Sequence, residues 1–159
     1  MRIPAEIKAV IDRHQQSFPV DVSAIASALG VHIFSTPLAS GVSGVLLRDA
    51  SHGSSSGFVI HVDRNEPSVR QRFTAAHELG HFVLHKDSIG DRVEDNYLLR
   101  SRRMSNSQEI EANAFAADLL MPQHLIEMAL ASGITTVEAL ARKFQVSQTA
   151  MSIRLGMPT

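Results

Sequence analysis

The 159-residue chain contains no cysteine, which excludes both disulfides and thiolate metal sites. Any metal must therefore be held by nitrogen and oxygen donors. Neither sign of charge dominates, with 15 Lys plus Arg against 16 Asp plus Glu, so no global basic field directs the chain to nucleic acid. No apolar run approaches the ~18 residues of a membrane span. The opening "MRIPAEIKAVIDRH" scatters charges where a secretory signal needs an apolar stretch. A soluble, cytoplasmic protein is expected. The Gly/Ser-rich "ASHGSSSG" is not followed by the lysine of a phosphate-binding loop, so it is expected to be a hairpin turn.

The length suits one domain able to bury a core without staples. Residues 5–16 carry Ile7, Val10 and Ile11 at helical spacing after Pro4. In "FPVDVSAIASALGV" a second apolar stripe ends at Gly30, a glycine helix stop. Three strands follow, "VHIFST", "GVSGVLLRD" and "SGFVIHVD", the last two flanking the Gly/Ser turn as a hairpin. A long helix through "EPSVRQRFTAAHELGHFVLH" comes next, then a polar connection over 87–106. A second strong helix, "SQEIEANAFAADLL", stops before Pro122. A short helix over Gln123–Ala131 and two more, joined near "FQVS", complete the chain. The expected class is α+β: a small, mainly antiparallel three-stranded sheet packed on helices. Residues 1–132 would form the main domain, and 133–159 a C-terminal helical pair packed on it.

The chemistry concentrates in "HELGH", an H-E-x-x-H pattern formed by His77, Glu78 and His81. On a helix, positions i and i+4 differ by about 40° in azimuth, so both histidines can share one ion. Glu78 lies about 100° round from His77, near the ion but offset from its ligands. Neutral imidazoles suit Zn²⁺, which lowers the pKa of a water to about 7. A carboxylate placed as Glu78 is can take that water's proton. Apolar neighbours (Ala75, Ala76, Leu79, Phe82, Val83) argue against a solvated helix, and buried histidines need partners. Gly80 costs about 1 kcal/mol in a helix interior relative to alanine, so a close approach by a strand or substrate is expected there.

A catalytic zinc takes three protein ligands and keeps one position open. His85 stands about 80° from His77, too far round to share the ion, and is expected to be a last-turn histidine favoured by the helix dipole. The next helix offers Glu109 and Asn113 at i and i+4, beside the small or apolar Ala112, Phe115 and Ala116. Glu109 would give a carboxylate oxygen, and Asn113 would hydrogen-bond a ligating histidine from behind. Glu111 is the rival ligand, about 200° away from Glu109. Asn113 and the apolar face favour Glu109.

Together, "RFTAAHELGHFVLH" and "EIEANAFAADLLMP", about thirty residues later, resemble the ImmA/IrrE family of metallopeptidases, with a minigluzincin-type fold. The likeness extends more weakly to "VDVSAIASALGVHI" and "LARKFQVSQTAMSIRL", and so covers most of the chain. It implies zinc held by His77, His81 and the family's glutamate, with Glu78 as general base. The E-x-x-x-D/N pattern of related gluzincins is matched by Glu109 and Asn113. The resemblance also implies a partner: a helix-turn-helix repressor or antitoxin whose cleavage releases genes of mobile elements, stress responses or toxin–antitoxin loci. The competing class is a metal-containing regulator that sequesters such a partner without cutting it.

Other features are weaker. Tyr97, the only tyrosine, could stabilise an oxyanion from the polar connection, and Arg100, Arg102 and Arg103 cluster beside it. Among the scattered histidines, His61 on the strand before the motif helix is the one to follow. "VEALARKFQVSQTAMSIRL" resembles a helix-turn-helix. With Arg142, Lys143 and Arg154 against Glu138 as its only charges, it is expected to pack or dock a protein partner rather than read DNA.

Overall fold

The structure is a computed structural model and describes residues 2–89 and 104–158. Its elements are α1 (Ala5–Arg13), α2 (Val22–Ala28), β1 (Val31–Thr36), β2 (Gly44–Arg48), β3 (Phe58–Asp63) and α3 (Ser68–Ile89). After the undescribed stretch come α4 (Asn106–Leu120), α5 (Gln123–Ala131), α6 (Val137–Phe144) and α7 (Gln148–Arg154). The class is α+β, as expected. Among the described residues no helix is long and apolar enough to cross a membrane.

The sheet is mixed, not mainly antiparallel. Its order is β1-β3-β2. β2 and β3 form the expected antiparallel hairpin, from Gly44↔Val62 to Arg48↔Phe58. β1 pairs with the other edge of β3 in parallel, from Val31↔Phe58 to Thr36↔Asp63. The antiparallel expectation rested on the hairpin; neighbouring strands in sequence usually pair, yet β1 does not pair with β2. The apolar run of β3 overrides that habit: Val59 and Ile60 point to opposite faces and both are fully buried. A strand buried on two faces belongs in the centre. His32 and Ser35 of β1 are exposed, which suits an edge.

Gly30 ends the α2 region at φ +85°, a left-handed stop that glycine takes without strain. The serine turn then ties back to it, because Ser56 Oγ donates to the Gly30 carbonyl at 2.6 Å. This turn has a structural task, holding the hairpin against α2.

One core joins the ends of the chain. Val20, Ile25, Leu46, Ile60, Leu79, Phe115, Leu140, Phe144 and Met151 belong to a single buried cluster. The C-terminal pair is thus seated in the same core as the sheet. Arg72 on α3 fastens it, donating to the carbonyls of Gln145 (3.1 Å), Val20 (3.0 Å) and Phe144 (3.3 Å). Hydrogen bonds from a charged donor contribute about 1.5–3 kcal/mol each when their removal strands the acceptor. Arg72 is only half-buried, so water replaces part of that, and Arg72→Ala should destabilise by about 3 kcal/mol in all and lower Tm by about 6–12 °C. An unchanged melt would show that these bonds merely replace water.

Candidate metal centre

The centre is made where α3 and α4 meet, and the sequence sets both helices' register. α4 starts in a capping box: Gln108 N donates to Ser105 Oγ at 3.1 Å, and Ser105 N donates to Gln108 Oε1 at 3.0 Å. Glu109 thereby falls in the first turn, and Asn113 one turn further on. Ala112, Phe115 and Ala116 are buried behind them. Opposite stands Gly80, where an added Cβ would lie 3.0 Å from Phe115 Cδ1 and 3.2 Å from Phe115 Cβ. The close approach expected at Gly80 comes from neither a strand nor a substrate but from the helix carrying Glu109. Gly80→Leu should force the two helices apart, costing about 1–3 kcal/mol. Metal retention should fall further than the melting temperature suggests, which parallel measurements on the variant would detect. Retained metal with a lowered Tm would contradict the coupling.

His77, His81 and Glu109 bring one ligand atom each to within 4.8 Å of one another. Glu109 Oε2 lies 3.4 Å from His77 Nε2, and its Oε1 lies 2.6 Å from His81 Nε2. The two imidazoles stand nearly perpendicular, at 88°. Donors about 2.05 Å from a tetrahedral ion lie about 3.3 Å apart, a spacing that the 3.4 Å contact matches and that the 2.6 Å contact, a hydrogen-bond length, falls short of. Two imidazole nitrogens and one carboxylate oxygen are the donor chemistry of a borderline divalent cation, and the residues fit such a metal.

The atoms behind these candidate ligands are also in place. Asn113 Oδ1 accepts from His77 Nδ1 at 2.8 Å, leaving Nε2 directed at Glu109. His81 is buried, at 1% side-chain exposure. His85 is not the last-turn residue expected: α3 continues to Ile89, and His85 is buried rather than solvated. Its Nδ1 lies 3.0 Å from His81 Nδ1, and its Nε2 lies 2.9 Å from Glu111 Oε1. Glu111, the rival for the ligand position, thus sits at His85 and not with the two motif histidines. A signal for this was available. His85 is as close in azimuth to His81 as His81 is to His77, but only its distance from His77 bears on sharing an ion.

Glu78 is buried at 5% exposure and lines an open cleft of about 590 Å³. The cleft is lined by Arg70, Phe73, Thr74, His77 and Glu78 of α3, by residues 40–44, and by Glu109 and Asn113. From Arg70 to His77 the helix advances about 10 Å, the length of about three residues of extended chain. Gly44, unnoticed in the sequence, is required here: an added Cβ would collide with Thr74 Cγ2 and lie 3.5 Å from Glu78 Cγ. A glycine opening a strand of larger apolar residues was its only signal.

His61 is not at the site. Its ring stacks on Phe34 at 5.3 Å and contacts Thr36 Oγ1 at 3.3 Å. Burial, with the neighbouring His52 charge adding to it, pushes its pKa below the ordinary histidine value. Tyr97, Arg100, Arg102 and Arg103 lie outside the described residues.

An H-E-x-x-H helix packed against a helix that brings a glutamate to both histidines defines a class, that of metallopeptidase-like α+β domains. Within it, the model of the IrrE N-terminal-like domain, Peptidase_M78, matches residues 26–156, and the chain belongs to that family. A solved structure, a Mycobacterium tuberculosis transcriptional regulator, aligns with a TM-score of 0.60 at 16% identity, over 98% of this chain and 48% of that one. The likeness at that identity is one of fold, and this chain spans about half the length of that structure. No curated protein matches significantly.

Proposed function

We propose that the chain is a zinc-dependent endopeptidase in which His77, His81 and Glu109 hold the ion and Glu78 is the general base. The observation that carries this reading is the convergence of the three ligand atoms beside an open cleft that Glu78 also lines. Bound zinc would supply Lewis acidity, polarising a carbonyl and acidifying water. The chain's own residues do the rest. His77 and His81 each present Nε2, and Glu109 would neutralise part of the ion's charge from α4. Glu78 takes the proton of the attacking water and can deliver it to the leaving amine. Its burial sustains a strong charge–dipole interaction with that water. The cleft aligns the substrate chain over α3, with Phe73 offering apolar contact and Arg70 a cation.

The substrate on this reading is a protein partner in the cytoplasm, a helix-turn-helix repressor or antitoxin, as the family resemblance implies. The α6–α7 pair would serve docking or packing, and direct DNA binding is not part of the function. A library of end-blocked, fluorescence-quenched peptides tests the chemistry whatever the partner's identity. Internal cleavage that a chelator abolishes and added zinc restores is the expected result. Zinc binding without any cleavage would leave a sequestering module as the better account.

A further inference from the structure

The proposed reaction leaves a buried histidine unused. His85 has 6% side-chain exposure, yet neither of its ring nitrogens is among the converging ligand atoms of His77, His81 and Glu109. Nδ1 meets His81 Nδ1 at 3.0 Å, and Nε2 meets Glu111 Oε1 at 2.9 Å. The contacts thus form a line from α4, through two histidines of α3, to the ligand group.

We infer that His85 and Glu111 are positioning residues: a carboxylate–imidazole relay that fixes the ring orientation and tautomer of His81. This rests on the metal-site reading above. Glu111 is an acceptor, so the proton on neutral His85 is drawn to Nε2. That leaves the His85 Nδ1 lone pair free to accept. With an ion engaging Nε2 in place of its 2.6 Å contact to Glu109, His81 must present Nδ1–H to His85 Nδ1, and its Nε2 carries the lone pair that a metal needs. Each hydrogen bond has one donor and one acceptor, and the chain of protons runs in a single direction toward Glu111.

The two motif histidines are thereby held by different means. His77 is fixed by one neutral amide, Asn113 Oδ1, at 2.8 Å. For His81 the holder is an imidazole backed by a carboxylate, which polarises it more strongly. The difference follows from place. His77 borders the open cleft, with 15% of its side chain exposed, whereas His81 has 1%. A buried ring with no access to water needs a protein acceptor for Nδ1, or that proton is left unsatisfied. His85, one turn further along α3, supplies it.

Zinc affinity measured by chelator competition on the full-length chain tests the relay. Losing a partner behind a ligating histidine typically weakens metal binding about 10–100-fold. That loss is expected for His85→Phe, which keeps the ring volume but offers no acceptor. His85→Asn, whose Oδ1 can occupy the Nδ1 position, should recover most of it. Glu111→Ala should weaken binding in the same direction. Metal-free melting curves of each variant separate this from lost packing: affinities that follow only the melting temperatures, or match wild type, overturn the relay. Nitrogen-15 spectra of the zinc-loaded wild type need no substitution. His81 Nδ1–H and His85 Nε2–H are expected, and a His85 carrying its proton on Nδ1 overturns the assignment. The Glu109→Ala arm guards the underlying reading. Wild type and Glu109→Ala binding zinc equally would sink the metal centre itself, whereas a large difference with neutral His85 variants would sink the relay alone.

Discussion

Glu78→Gln is expected to keep its metal and fold while losing peptide hydrolysis by about 10²–10⁴-fold, the usual contribution of a positioned general base. The substitution is nearly isosteric. It leaves a polar group of the same reach beside Thr74 and Gly44, so the buried position stays filled. What disappears is the ability to accept a proton, since an amide nitrogen cannot take one from water near neutral pH. Metal content, melting temperature and the rate on one peptide substrate should be measured on the same preparation. A variant that retains full rate would remove Glu78 from the mechanism. One that loses its metal would instead make Glu78 a ligand, contrary to its offset of about 100° from His77.

Glu109→Ala should reduce zinc affinity by more than ~100-fold, beyond the upper end of what a residue behind a ligand contributes. The reason is geometric. Glu109 alone among the described carboxylates places oxygens against both motif histidines, at 3.4 and 2.6 Å. Glu111→Ala is the informative comparison, because its oxygen reaches His85 and not the motif pair. Its loss should stay within about 10–100-fold. The reverse ranking, with Glu111→Ala the more damaging, would overturn the ligand assignment. Activity should follow occupancy in both variants, so adding excess zinc should rescue Glu111→Ala more readily than Glu109→Ala.

The motif helix and its carboxylate-bearing partner are legible in the sequence for a simple reason. Helical azimuth is a local property, so i and i+4 pairs such as His77/His81 and Glu109/Asn113 can be placed on a face without a tertiary structure. What crosses between elements is harder. Gly80 can be recognised as a contact point, but not that Phe115 is the residue against it. His85 is misleading because the polar residues after it suggest that the helix ends there, whereas α3 continues to Ile89. Its partner Glu111 then looks like either a competing ligand or a solvated acid. The parallel pairing of β1 with β3 is likewise non-local. Only the apolar Phe58–Val59–Ile60 run of β3 hints that it is the central strand.

On the proposed function, one metal ion at the junction of α3 and α4 makes this chain a peptidase. Zinc titration of the chelator-stripped chain, followed by hydrolysis of an end-blocked peptide, tests it most directly. Activity should be absent without metal, rise with added zinc and level off at one ion per chain. Hydrolysis that persists in the metal-free chain, or that never appears although one zinc is bound, would contradict it.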